Sequence, residues 1–166
     1  MIVMELKRCP RCGKTKSLSE FSSSKHTGDG LCCWCKECSN EISRNWRSTP
    51  SGIYSIIKGR EKFFVDRKPF NITKEDFIEW YENEPKTCAY CDIPEDKVDI
   101  FRDKYNIHAR LRLTVDCKDD SIGYKLGNIV LACGLCNTLK MNVLSFDEMR
   151  DVGQRHIKSK WSNPKQ

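Results

Sequence analysis

The chain has 166 residues and a formal net charge of +6, with 31% charged and 39% hydrophobic residues. That is the usual size of one domain, and so modest an apolar content allows only small cores. No apolar run approaches the ~20 residues of a membrane-spanning helix, and Met1 to Leu6 lack the apolar stretch of a secretion signal, so an intracellular protein without membrane contact is expected.

Eleven cysteines stand out. An odd number cannot all pair within one chain, and disulfides are rare in a reducing compartment. Eight of the eleven fall into four CxxC pairs: Cys9/Cys12, Cys35/Cys38, Cys88/Cys91 and Cys133/Cys136. A two-residue gap lets both sulfurs reach one ion around a tight turn, and two pairs complete a tetrahedral zinc site. Two structural zinc ions are therefore expected, with Cys32, Cys33 and Cys117 left over. Ligand thiols are deprotonated, so each four-thiolate centre carries −2, and the metallated chain has a net charge of about +2.

Charge is unevenly spread. Residues 1–70 carry +7, residues 71–116 carry −4 and residues 117–166 carry +3. Basic ends suit a polyanion such as nucleic acid.

In chain order, residues 7–40 read as a zinc-ribbon knuckle pair, with Ser22 to Gly30 supplying the loop. Cys35 and Cys38 are preferred over Cys32 and Cys33 because only they have the CxxC gap. Residues 39–68 read as helical and basic. Ser48-Thr49-Pro50 offers a cap followed by proline at the first helical position. Ile53, Ile56, Ile57 and Phe64 keep one side apolar, while Lys58, Arg60 and Lys62 are candidates for phosphate contact. Residues 73–83 form a further helix, capped by Thr73, with Glu75 and Asp76 at its positive end and Phe77, Ile78, Trp80 and Tyr81 directed to a core.

Residues 88–142 carry the strongest pattern. After the Cys88 knuckle comes an acidic excursion to about residue 109. Arg110 to Asp116 alternates polar and apolar, as a half-buried strand does. Ser121 to Tyr124 is turn-like, 128–131 is a second strand, and a helix begins after the Cys133 knuckle and runs over 137–142. Residues 145–158 form a last helix. Its capping box is Ser145-Phe-Asp-Glu148, and Met149, Val152 and Ile157 face inward.

The run Leu113-Thr-Val-Asp116-Cys117-Lys-Asp, then Gly123-Tyr124, then Gly127-Asn128-Ile-Val-Leu-Ala-Cys133-x-x-Cys136-Asn137-x-x-Lys140, resembles the HNH endonuclease motif. The Cys88/Cys91 pair upstream resembles its zinc-bound phage subclass, which includes recombination endonuclease VII. A looser resemblance to phage HNH proteins covers the N-terminal half, in the run Lys14 to Phe21 and in Gly30 to Cys38. The resemblance implies an α+β protein made of small zinc-stabilised domains. These are a zinc-ribbon-like segment over 1–47, a helical linker over 48–84, and an HNH ββα-metal unit with its C-terminal helix over 85–166.

It also implies the chemistry. Phosphodiester hydrolysis needs a base, a divalent ion at the scissile phosphate and stabilisation of the departing oxygen. By the resemblance, Asp116 and Asn137 hold a catalytic magnesium or manganese ion and Asn128 takes the central asparagine position. Lys118 and Lys140 join Lys58, Arg60 and Lys62 as nucleic-acid contacts, and DNA is the partner. The base position is held by Cys117 instead of histidine. The expected function is a metal-dependent DNA endonuclease of the phage or mobile-element kind, acting in homing or recombination. A catalytically degenerate two-zinc DNA-binding protein is the alternative, and Tyr124 or His108 is the alternative base. His26 and His156 lack motif spacing and read as solvated structural residues.

Overall fold

The computed structural model describes residues 5–60, 69–101 and 112–162. Lys62, Phe64, His108, Arg110 and Leu111 lie outside them, as does the side chain of Arg60. The chain divides into two compact units, Met1–Ile56 and Ile57–Gln166. Each combines short antiparallel hairpins with helices, the α+β arrangement expected.

The first unit contains two hairpins. Strand β1 (Leu6–Arg8) pairs with β2 (Thr15–Ser17), placing Leu6 opposite Ser17. Strand β3 (Phe21–Ser23) pairs with β4 (Leu31–Cys35), with an irregularity between Phe21 and Ser23. Strands this short bury little on their own. The interior is Cys9, Phe21, Cys35 and Cys38, with Leu31 packed against them. A core so small needs a metal to hold it. Helix α1 (Lys36–Ser48) begins directly after β4, earlier than the sequence reading placed helical structure. The chain leaves helical geometry at Thr49, where the hydroxyl accepts a hydrogen bond from the Gly52 amide at 3.1 Å. Helix α2 (Pro50–Arg60) follows, with proline at its first position. Gly52 is required at that corner, because a Cβ there would lie 2.0 Å from the Trp46 carbonyl oxygen.

The second unit starts its packing with α3 (Lys74–Asn83). The Thr73 side chain accepts from the Asp76 amide, as expected of the cap. Phe77 and Tyr81 are buried, whereas Trp80 is half-exposed and donates its indole N–H to Glu84 at 2.8 Å. Strand β5 (Thr114–Cys117) pairs antiparallel with β6 (Ile129–Ala132), placing Thr114 opposite Ala132 and Cys117 opposite Ile129.

This hairpin departs from the sequence reading in two ways. The first strand begins at Thr114, because the Leu113 amide is taken by the Glu95 carboxylate at 2.9 Å instead of a neighbouring strand. Its alternation predicts one solvated face, yet Val115, Asp116 and Cys117 are all buried and β6 is buried throughout. The hairpin is covered on both faces.

Helix α4 (Gly134–Lys140) starts inside the knuckle, three residues before the expected start, because Cys133 itself caps it by accepting from the Cys136 amide. Helix α5 (Phe146–Val152) has both arms of the Ser145/Glu148 capping box. The expected continuous helix to residue 158 widens into a π turn over Gly153–Ile157 before α6 (Lys158–Ser162). At the widening, Gly153 presses on the knuckle: a Cβ there would lie 2.4 Å from the Tyr90 carbonyl oxygen. Met149 and Ile157 are buried as expected, and Val152 is half-buried. Asp92 ties this helical segment down, accepting from Lys158 at 2.7 Å and from Gln154 at 3.0 Å.

Candidate nuclease site and zinc centres

Two sets of four thiols gather within the units: Cys9, Cys12, Cys35 and Cys38 in the first, Cys88, Cys91, Cys133 and Cys136 in the second. In each set the sulfurs lie within 4.8 Å of one another. Tetrahedral zinc with Zn–S bonds of ~2.3 Å requires sulfurs ~3.8 Å apart. Cys9 and Cys38 are 3.9 Å apart, and so are Cys91 and Cys133. Cys35 and Cys38, rather than Cys32 and Cys33, gather with Cys9 and Cys12. The Cys32 thiol instead donates to the Ser23 carbonyl oxygen, and Cys33 is exposed.

Both centres follow one plan. In the upstream knuckles, the amide of Cys9 bonds the Lys14 carbonyl and that of Gly13 bonds Cys9, while Cys88 bonds Ile93 and Asp92 bonds Cys88, each at 2.9 Å. The fifth residue has positive φ in both, +71° at Gly13 and 60° at Asp92. Glycine and aspartate are among the residues that adopt that conformation most readily. Downstream, Cys35 and Cys133 each occupy the cap between a strand and a helix, with Cys38 and Cys136 in the first helical turn.

Backbone N–H groups prepare one thiol of the first set. Burial raises the pKa of Cys9, but amides of Cys35, Cys12 and Arg11 outweigh it and bring it down to about 6. Burial and the neighbouring thiols push Cys38 up to about 12. In the second set, hydrogen bonds from Cys133, Cys136 and Cys91 lower Cys88, and the neighbouring thiols Cys133, Cys88 and Cys91, then burial, leave Cys136 raised. Four adjacent thiols cannot all ionise alone, so a dication that takes the set must displace protons.

The second centre clamps the β5–β6 hairpin to α4. Thr114 and Asp116, two apart on a strand, share one face. Asn137 and Lys140, three apart on a helix, share another. The two faces meet. Asn137 Nδ2 donates to Thr114 Oγ1 at 2.8 Å, and Lys140 Nζ lies 3.9 Å from Asp116 Oδ2 and 3.4 Å from Asp120 Oδ1. Asp116 is 5% exposed and Lys140 1%. The Tyr90 hydroxyl, from inside the Cys88 knuckle, donates to Asp116 Oδ2 at 2.8 Å. Burial, then the Asp116 charge, raises the Tyr90 pKa well above the usual phenol value, so this group is a donor and stays protonated.

No protein-family model matches the chain. No curated protein matches it either. Among solved structures it is similar to the rare-cutting HNH restriction endonuclease PacI, with 25% identity and a TM-score of 0.51 over 95% of this chain and 97% of that one. The chain has an HNH-type fold.

The positions read from the sequence as the HNH motif can then be located one by one. Asp116, Asn137 and Lys140 converge on the hairpin-facing side of α4, as described. Cys117 is fully buried, and strand alternation turns its side chain away from the face that bears Asp116. Asn128 is buried and engages backbone. Its Nδ2 donates to the carbonyls of Asp119 and Gly123, each at 2.7 Å, and its Oδ1 accepts from the Asp119 amide at 3.0 Å. It thus pins the loop between β5 and β6. Tyr124 packs against Phe70 in a tilted arrangement with ring centroids 5.6 Å apart, and Gly123 lies too close to Pro69 for any Cβ.

Of the basic residues, Lys58 is exposed, and Lys118 is half-buried with its ammonium 5.7 Å from the Phe146 ring centroid. Lys140 turns inward. Sequence reasoning missed Tyr90, Thr114 and Asp120. The adjacent Asp119-Asp120 pair at the end of the motif's first run was a usable signal for the last. Nothing in the spacing distinguished Tyr90 from any residue between two cysteines. Among the described residues, no helix is long and apolar enough to cross a membrane.

Proposed function

We propose that this chain is a metal-dependent HNH endonuclease that hydrolyses DNA phosphodiester bonds, of the phage or mobile-element kind and active in homing or recombination inside a bacterial cell. The observation that carries the reading is the convergence of Asp116, Asp120, Asn137 and Lys140 in a hairpin–helix unit clamped by four thiols. The likeness to a DNA-cutting HNH enzyme over nearly the whole chain supports it.

The donor set fits a catalytic magnesium or manganese ion. Two carboxylates turn oxygens toward one cationic point, now the Lys140 ammonium, so positive charge is already accommodated there. The Asn137 carbonyl oxygen is the further oxygen donor on the helix, and hard oxygen ligands suit magnesium. Such an ion would polarise the scissile phosphate and acidify a bound water. The protein's own part is to orient. Tyr90 holds one Asp116 oxygen, the Cys117 amide donates to the other at 2.9 Å, and Thr114 holds the Asn137 amide. Zinc at both thiolate centres stays structural. Residues 1–70, which carry +7 before their zinc site is counted, add DNA affinity, and the chemistry lies in 85–166.

The test is plasmid nicking by purified zinc-loaded chain. Magnesium or manganese should support nicking, and EDTA and Asp116→Ala should each abolish it. One observation favours a second reading, a DNA-binding protein without cleavage: the thiol at the base position is fully buried. Salt-dependent DNA binding with no nicking under either metal would establish that reading instead.

A further inference from the structure

A lysine is almost never fully buried unless paired. Lys140 is 1% exposed, at the last residue of α4, with its ammonium between Asp116 and Asp120. The sequence motif suggests a lysine that reaches out to phosphate, and the structure turns it into the centre. Two facts therefore compete for one place. The carboxylate that must hold the divalent ion already faces an ammonium 3.9 Å away. Like charges at such a separation repel strongly in a buried setting, so ion and ammonium cannot both sit against Asp116.

Resting on the nuclease reading, we propose that Lys140 is a resident internal cation: it neutralises Asp116 and Asp120 before the divalent ion arrives, and the arriving ion displaces it toward the scissile phosphate. Lysine suits the exchange. Its charge is a compact point on a flexible four-carbon stem, free of the fixed fork of arginine, and its backbone lies at the helix end, where α4 gives way to Met141. The displaced ammonium supplies one phosphate contact only after the ion is in place. Ion and DNA then bind cooperatively, each strengthening the other by the same factor. Lys140 is a positioning residue before the ion arrives and a phosphate ligand after it.

The test uses the full zinc-loaded chain without DNA. Manganese binding is followed by the electron paramagnetic resonance of the free ion, and lysine accessibility by acetic anhydride labelling read by mass spectrometry. Lys140→Met and Lys140→Gln should bind manganese at least ~10-fold more tightly than wild type, a factor set by ~1.4 kcal/mol. Lys140 itself should be protected from acetylation in the metal-free site and become reactive when manganese is added. Zinc content of two per chain verifies that each variant is folded, and the labelling arm needs no variant. If manganese binding depends on Asp116, shown with Asp116→Asn, yet both Lys140 variants bind no tighter and labelling does not respond to manganese, the exchange is refuted while the nuclease reading stands. If manganese binding is indifferent to Asp116, both fall.

Discussion

Tyr90→Phe removes one oxygen and keeps the ring, which packs on Phe146 with centroids 5.4 Å apart. What is lost is the hydroxyl donating at 2.8 Å to Asp116 Oδ2, a buried carboxylate oxygen. Hydrogen bonds to charged groups contribute ~1.5–3 kcal/mol. If that energy serves to hold the carboxylate in its ligating orientation, its loss appears in the reaction barrier. At ~1.4 kcal/mol per tenfold, nicking should slow about 10- to 150-fold. The assay is single-turnover nicking of supercoiled plasmid at saturating manganese, alongside DNA affinity and zinc content. Affinity and zinc content should match wild type, because the hydroxyl touches neither DNA-facing lysines nor thiols. Wild-type nicking by a folded Tyr90→Phe chain would falsify the positioning role.

Three further outcomes follow from the geometry. Gly153→Ala places a Cβ 2.4 Å from the Tyr90 carbonyl oxygen, a backbone atom that cannot swing away; it should cost about 1–3 kcal/mol in urea unfolding, and an unchanged midpoint would show that the π turn is not pressed on the knuckle. Cys117→Ala should leave nicking within about twofold, since the thiol is buried on the strand face opposite Asp116; a loss far beyond the stability change would make the thiol a participant. Zinc release, followed with a colorimetric chelator, has a pH sign fixed by Cys9, whose pKa is lowered from 9.0 to about 6. A lowered acid is ionised above its folded value, and protons compete with zinc for the thiolate, so the first centre should lose its metal as pH falls and not as it rises. Retention that improves on acidification would contradict the assignment of Cys9 as a ligand.

What could be read from the sequence was what is encoded locally. The CxxC spacing needs only three consecutive peptide units, and both four-thiol sets form as the spacing predicts. The caps at Thr73 and Ser145 are also local, a hydroxyl meeting an amide three residues on. Asp116, Asn137 and Lys140 were legible because motif spacing fixes strand, knuckle and helix together. The misreadings share one cause, contact between distant residues. Leu113 is kept out of the strand by Glu95, 18 positions away. Gly153 meets Tyr90 across more than 60 residues, which no periodicity reveals. Asn128, read as the central asparagine, is not among them: its amide holds the nearby Asp119 and Gly123 backbone. The inward turn of Lys140 depends on Asp120, a residue whose neighbourhood exists only after the hairpin closes.

The knuckle occurs twice with the same backbone bonds, each time followed by a hairpin and a cysteine at the N-cap position of a helix, and this separates two kinds of information in the chain. Four residues past the capping cysteine stands Asn137 in one copy and Ser39 in the other; seven past it stand Lys140 and Ile42. The clamp specifies shape without those positions, so they can diverge while the shape persists. One scaffold thus serves as a frame on which reactive groups are optional. Chemistry could be erased from the second copy, or written into the first, by exchanging a few helix-face and strand-face residues while every cysteine stays in place.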